Sequence, residues 1–455
     1  MKNKIIALLL TFLLFFVSMI STEQAMAASE DASVPEAKTE AMTLDKAKET
    51  ALLNNREILA SKERIEQADY KIQENQSGYW PKLVLGGSYN YTPVVPSIDI
   101  SIPAGYGKTI DKTIETGAAD NWVFQAGLNE TIFDWGRTSA GVDAATANRD
   151  FLQADADIIS GRVLYNTIDA FNRVILARNV LNLNDEMLRN AKSHLEKVKL
   201  QFSQGTSSAY DKLTAEVQVS TLQPMKTQAV HNVESAELNL KNILGLPLNG
   251  TLSLAGALSE PSEEKIDLNE SIELAKSIRP ELARANYRKA QKNALLDAVR
   301  STNRPVLSTN ARYQYQYPYY SEIEWKNSWS VGLSISYPLF DGWAVGSQIN
   351  ESDRDIKISD IETAQIANQV ELEVRQAVLK LDEARERISG QKELVRQAEE
   401  LLKITETSFE NGASTEMEVA DSRLALHSAK INYFQALFDY ALAKAAWEKA
   451  TGRLK

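Results

Sequence analysis

The run from Trp329 to Trp343, WSVGLSISYPLFDGW, decides how this chain is read. Trp329, Val331, Leu333, Ile335, Tyr337 and Leu339 fall on one face of a period-two strand, and Ser330, Gly332, Ser334 and Ser336 fall on the other. An apolar, aromatic-ended face opposite a small polar one suits a strand of a soluble sandwich. It equally suits a barrel strand with lipid on one side and a wet lumen on the other. After Phe340-Asp341-Gly342 the pattern changes to a very long helical one. An earlier stretch, Trp122 to Gly136, WVFQAGLNETIFDWG, also leads into a very long helix.

Outward from these two junctions the chain is a tandem repeat. An offset of 224 carries Leu44 onto Leu268, Glu57 onto Glu281, Pro81 onto Pro305, and Tyr89 and Tyr91 onto Tyr313 and Tyr315. Beyond the strand loop the offset is 207, carrying Trp122 onto Trp329, Phe133-Asp134 onto Phe340-Asp341, Phe202 onto Phe409 and Gly205 onto Gly412. The unit is helix, strand, loop, strand, long helix and return helix. Repeat 1 is expected over 44–250, a linker over 251–266 and repeat 2 over 267–455. Strands are expected near 82–92, 121–133, 306–317 and 328–340. Residues 93–120 read as a polar loop, 17 residues longer than its counterpart in repeat 2.

The long helices, 137–203 and 344–410, contain no proline. Each would run about 100 Å at 1.5 Å per residue, roughly three times the hydrocarbon thickness of a bilayer. In the first, Leu164, Ile168, Phe171, Ile175, Leu188, Ala191, Leu195, Val198 and Phe202 make a heptad-like seam with polar residues between, the pattern of helices packed side by side in water. Return helices are expected over 206–244 and 413–452, with Pro224 kinking or dividing the first.

Residues 1–27 read as a secretory signal: Lys2 and Lys4, an apolar run from Ile5 to Ile20, then Ala25-Met26-Ala27. Residues 28–43 read as a flexible tail. The 455-residue chain has no cysteine, which excludes disulfides and thiolate metal sites, and its net charge of −11 disfavours nucleic acid as a partner. His194, His231 and His427 stand singly on helices with no ligand spacing and read as partly exposed. No nucleophile elbow, phosphate loop or zinc motif is present, so no enzyme, metal or cofactor is expected.

The tryptophans choose between water and lipid. Trp80, Trp122, Trp135, Trp325, Trp329 and Trp343 lie at or beside strand ends, and Tyr313, Tyr315, Tyr317, Tyr319 and Tyr320 crowd one more. Aromatics at both ends of short alternating strands form the interfacial girdles of outer-membrane barrels. Four strands cannot close, so several chains must share a barrel.

The paired TIFDWG and YPLFDGW junctions, the duplication and the F-x-x-G turns resemble the TolC family of outer-membrane efflux proteins. The resemblance implies an α+β membrane protein: a homotrimer whose 12-stranded β-barrel, four strands per chain, sits in outer-membrane lipid and continues into a long α-helical barrel across the periplasm. It also implies a periplasmic adaptor and an inner-membrane pump or ABC exporter as partners. By the same resemblance the turns FSQGTSSAYDKL and FENGASTEMEVAD form the periplasmic end, with Phe202, Gly205, Thr206, Phe409, Gly412 and Ala413 meeting the adaptor. Asp211, Glu418, Asp421, Phe409 and Ser414 map to the constriction, although Phe409 and Ser414 replace a tyrosine and an arginine of the family's closed gate. Asp211 also reads as an ordinary first-turn acid. Trp80, Trp122, Trp135, Tyr313, Tyr315, Trp329, Tyr337 and Trp343 would mark the membrane interfaces. The reading is thus a passive exit duct for efflux or type I secretion. Its rival is a soluble or surface-associated coiled-coil spacer.

Overall fold

Alternation in four stretches becomes one antiparallel sheet in the computed structural model, which describes residues 41–104, 106–261, 266–319, 322 and 324–454. The expected signal segment, most of the expected tail and Tyr320 lie outside the described residues. Repeat 1 holds α1 (Leu44–Asn54), α2 (Arg56–Gln76), β1 (Lys82–Tyr91), β2 (Ser97–Pro103), β3 (Thr109–Glu115), β4 (Asp120–Phe133), α3 (Arg137–Ser203) and α4 (Ala209–Ile243). Repeat 2 holds α5 (Leu268–Ile278), α6 (Pro280–Thr302), β5 (Val306–Tyr317), β6 (Lys326–Ser336), α7 (Ala344–Glu410) and α8 (Glu416–Ala450).

The sheet order is β1-β4-β5-β6, so the two inner strands come from different repeats and β1 and β6 are open edges among the described residues. Register fixes its faces. Leu85 lies opposite Ala126, Ala126 opposite Tyr313, and Tyr313 opposite Trp329, so the apolar sets of all four strands share one side. On that side Trp329, Val331, Leu333 and Ile335 are 67–77% exposed, which leaves a broad apolar surface bare in the single chain.

Two expectations change here. The stretch 93–120 is not a plain loop: it carries the two-stranded hairpin β2–β3, in which Ile98 pairs with Ile114 and Ile102 with Ile110. The single opening helix expected for repeat 1 is broken at Asn55, whose side chain accepts hydrogen bonds from the N–H groups of Glu57 and Ile58 and so caps α2 while α1 ends. Repeat 2 breaks at the equivalent Arg279, where Pro280 starts α6.

Strand passes to helix through two successive left-handed residues: Trp135 (φ 57°) and Gly136 (φ 84°) in repeat 1, Gly342 (φ 68°) and Trp343 (φ 70°) in repeat 2. Glycine and tryptophan exchange order, and the backbone does not change. An aspartate holds each joint. Asp134 accepts from Gly136 N–H at 3.1 Å and Thr138 N–H at 2.8 Å; Asp341 accepts from Trp343 N–H at 2.9 Å and Val345 N–H at 2.8 Å.

α3 and α7 are 67 residues each. α3 packs along α4 and α7 along α8, while α3 also meets α6 and α8 of the other repeat. Every predicted seam residue of α3 is buried except Phe202, which is 41% exposed at the turn. Pro224 does not divide α4, which runs unbroken through it. Among the described residues no helix is long and apolar enough to cross a membrane.

Candidate functional site

The two turns far from the sheet, α3–α4 and α7–α8, carry most of the predicted site residues. Each is built from the same local chemistry. Gly205 (φ 77°) and Gly412 (φ 73°) take the left-handed conformation that ends a helix without a Cβ clash. Thr206 N–H donates to Gln201 C=O at 2.9 Å and Ala413 N–H to Ser408 C=O at 2.8 Å; Gly205 and Gly412 donate to Phe202 and Phe409. These are Schellman closures, and the next helix starts at once with a capping box.

That explains the acid six residues after each glycine. Asp211 accepts from Ser208 Oγ at 2.7 Å and Ser208 N–H at 3.0 Å, while its own N–H donates to Ser208 Oγ. Glu418 accepts from Ser414 Oγ at 2.6 Å and Thr415 N–H at 2.7 Å, and its N–H donates to Thr415 Oγ1. The Ser208 hydroxyl holds Asp211 below the usual carboxylate range, and the Ser414 hydroxyl does the same for Glu418. Both stay ionised at neutral pH. Glu418 and Asp421 line one surface groove with Ser408, Ser414 and Ala425, so the structure brings this predicted pair together. Asp211 belongs to the other turn.

Glu416 and Asn184, not singled out in the sequence, pair with His194 and His427 and join the two hairpins beside these turns. His194 Nε2 of α3 lies 2.5 Å from Glu416 Oε1 of α8, with Glu416 buried and its second oxygen without a hydrogen-bond partner among the described residues. Phe409 sets its ring edge-to-face on His194, 6.4 Å between centroids. One layer further, His427 Nε2 donates to Asn184 Oδ1 at 2.7 Å, and burial pushes His427 below the ordinary histidine range. His427 is buried between the repeats, against the expectation of a partly exposed helix position; His194 is partly exposed beside Glu416, and His231 is exposed. The repeat offset held a signal for them. Positions 194, 416 and 427 correspond to Leu401, Ala209 and Ser220, so they are places where the copies differ in chemistry.

The predicted aromatics fall at two levels of the sheet. Trp80, Trp135, Tyr337 and Trp343 lie where strands meet helices, and Trp122, Tyr313, Tyr315 and Trp329 lie toward the opposite end. There Trp325 stacks on Tyr315 at 4.9 Å and Trp122 lies 4.3 Å from Tyr89.

The sequence profile of the outer membrane efflux protein family matches residues 48–246 and 271–453. The chain belongs to that family. Outer membrane protein TolC of Escherichia coli (strain K12) is 24% identical over 420 residues, 89% of this chain and 81% of TolC. The alkaline protease secretion protein AprF of Pseudomonas aeruginosa is 22% identical over 341 residues, 71% of this chain and 68% of AprF. The solved structure of CusC, described as a transmembrane channel, superposes with a TM-score of 0.75 at 16% identity, covering 93% of this chain and 95% of CusC. As an outer membrane efflux protein, the chain is an outer-membrane export channel component. Its relatives are channels rather than enzymes, and the spacer reading is not favoured.

Proposed function

We propose that three copies of this chain close one twelve-stranded barrel in outer-membrane lipid and continue it as a helical tunnel, the passive exit duct of a tripartite export system. The sheet carries this reading. Among the described residues its β1 and β6 edges are unpaired, and its Trp–Val–Leu–Ile face is exposed. In lipid, each unsatisfied edge group costs roughly several kcal/mol, and pairing β1 of one copy with β6 of the next removes every edge. Two copies would give eight strands and a filled interior, whereas three give twelve and room for a lumen. Trp80, Trp135, Tyr337 and Trp343 then mark one interface, and Trp122, Tyr313, Tyr315 and Trp329 the other.

At the far end the turns at Gly205 and Gly412, with Phe202, Thr206, Phe409 and Ala413, meet a periplasmic adaptor, and an inner-membrane pump or ABC exporter supplies the energy. Glu418 and Asp421 line the constriction, and Asp211 serves its own turn. Phe409 closes on His194 instead of donating a hydroxyl, and Ser414 supports Glu418 instead of carrying a charge, so the closed state rests on packing and caps.

Single-channel recording in planar bilayers, on detergent-extracted protein of measured oligomeric mass, tests the duct. A three-chain species with steady conductance is expected. A folded, detergent-independent monomer without current would overturn the barrel. Replacing Glu418 and Asp421 together by Ala is expected to lower cation preference; unchanged selectivity would remove them from the constriction.

A further inference from the structure

The second face of the sheet carries charge of one sign. Register aligns Lys82, Ser88 and Asn90 of β1, Gln125, Gly127 and Asn129 of β4, Asn310, Arg312 and Gln314 of β5, and Lys326, Ser328 and Ser330 of β6 on the side opposite Trp329 and Leu333. Among the described strand residues on that side, Lys82, Arg312 and Lys326 are the charged ones, and none is acidic. Lys326 is neutralised by Glu322 beside the strand end. Lys82 stands at the helix-side end of the sheet. Arg312 is the one in mid-strand.

Its surroundings leave its charge uncompensated. The cross-strand neighbours of Arg312 are Gly127 and Ser330, which offer neither a carboxylate nor a side chain long enough to cover the guanidinium. A Cβ at Gly127 would meet nothing within 4 Å. The diagonal neighbours Gln125, Asn129, Ser328 and Gly332 are uncharged. Arg312 is exposed and forms no ion pair with any described residue. A permanently charged, five-donor fork held between small residues on a wet wall is well suited to receive carboxylate or phosphate oxygens.

We infer that Arg312, one from each copy, forms a cationic ring in the barrel lumen that favours the passage of cargo bearing anionic groups, carboxylate or phosphate. The inference rests on the three-copy duct. It gives the two ends of that duct opposite electrostatic character: acidic at the turns, basic in the barrel. Cargo repelled by Glu418 and Asp421 when the turns are closed is drawn onward once past them, because charges more than about 10 Å apart are screened from each other in 0.1 M salt and the two ends act separately.

The test is reversal potential across a KCl gradient at about 0.1 M, for the full-length trimer in planar bilayers, comparing wild type with R312K, R312Q and R312E. The anion-to-cation permeability ratio should be held by R312K, fall roughly two- to five-fold in R312Q, and fall further in R312E. Tripolyphosphate added on the barrel side should interrupt wild-type current at millimolar concentration and do so several-fold less in R312Q. The Glu418→Ala, Asp421→Ala double variant should move the reversal potential in the opposite direction. Conducting R312Q channels with unchanged reversal potential and unchanged block would overturn the ring while leaving the duct intact. Absence of conductance in wild type would remove the duct and the ring with it. R312Q keeps a polar, exposed side chain, so the comparison survives if R312E fails to assemble.

Discussion

The two repeats solve one packing problem with different side chains. Where α1 passes to α2, Asn55 donates from Nδ2 to the carbonyl of Ile243 at 2.8 Å; where α5 passes to α6, the equivalent Arg279 donates from Nη1 to Ala450 at 3.1 Å. Ile243 and Ala450 are themselves equivalent last residues of the return helices. Each tie satisfies a carbonyl that the helix end would leave orphaned. Asn55 reaches it with a short amide that also caps α2. Arg279, 6% exposed, needs Glu281 at 2.7 Å and Glu373 at 2.9 Å to hold its charge. The difference teaches that duplication preserved the backbone requirement and left the chemistry free to drift.

Substitution should expose that asymmetry. Arg279→Ala is expected to destabilise by about 3 kcal/mol, since it strips two carboxylates of a buried partner. Asn55→Ala should cost about 1–2 kcal/mol, a cap and one hydrogen bond. Thermal unfolding followed by circular dichroism in detergent checks the order, and equal losses would break the contrast. The glycines just beyond the return helices sharpen it. Both are left-handed, Gly245 at φ 68° and Gly452 at φ 73°. A Cβ at Gly245 would lie 2.3 Å from the backbone oxygen of Asn54, while at Gly452 it meets the side chain of Ile278 at 2.8 Å. Gly245→Ala should therefore cost about 2–3 kcal/mol and Gly452→Ala about 1–2 kcal/mol, because a side-chain end can turn aside and a peptide plane cannot.

At the turns the repeats should behave alike. Ser208→Ala and Thr415→Ala each remove one capping hydroxyl and are expected to lose about 1 kcal/mol apiece, read as faster amide exchange in the first turn of α4 or α8. Unequal effects would mean that the two turns are supported unequally by neighbours. The smallest effect is with pH. Burial holds His427 below its ordinary 6.5, so the folded chain binds fewer protons than the unfolded one. Stability is then full above about 6.5 and falls as pH drops from there toward the lowered value. Asp211 and Glu418 are also held low, but their caps persist until pH falls below the ordinary carboxylate range, so between pH 7 and 5 the slope belongs to His427 and not to them. His427→Gln should flatten that slope in urea titrations.

Most of the architecture is written locally. Period-two alternation marks β1, β4, β5 and β6 because one sheet face is apolar throughout. Gly205 and Gly412 mark the turns because only glycine takes their φ cheaply. The hairpin β2–β3 was hidden although Ile98, Ile100 and Ile102 alternate, since Pro93, Pro96 and Pro103 read as loop punctuation. The break at Asn55 was hidden because an N-cap inside an unbroken helical pattern looks like one more polar surface residue. Pro224 misled in the other direction: tertiary packing of α4 on α3 outweighs the missing N–H. Asp211 was legible as a first-turn acid, whereas the same capping role of Glu418 was not read from the sequence. His194 with Glu416 and Asn184 with His427 were not, because those contacts span 222 and 243 residues and no local pattern records them.

The tryptophan at each strand-to-helix joint also has a bearing on the kind of bilayer this protein suits. β5 and β6, 12 and 11 residues long, rise about 30 Å when tilted as barrel strands are. In the proposed barrel, Trp135 and Trp343 sit in left-handed joints at one end and the tyrosines of β5 near the other, so strand length would set the distance between the two aromatic levels. A membrane thicker than that span would have to thin around the barrel, and a thinner one would have to swell. Hydrophobic mismatch of this kind sorts proteins between membranes at a fraction of a kcal/mol per ångström. In the proposed barrel, strand length between the joint and the far aromatics would thus match the protein to one bilayer thickness.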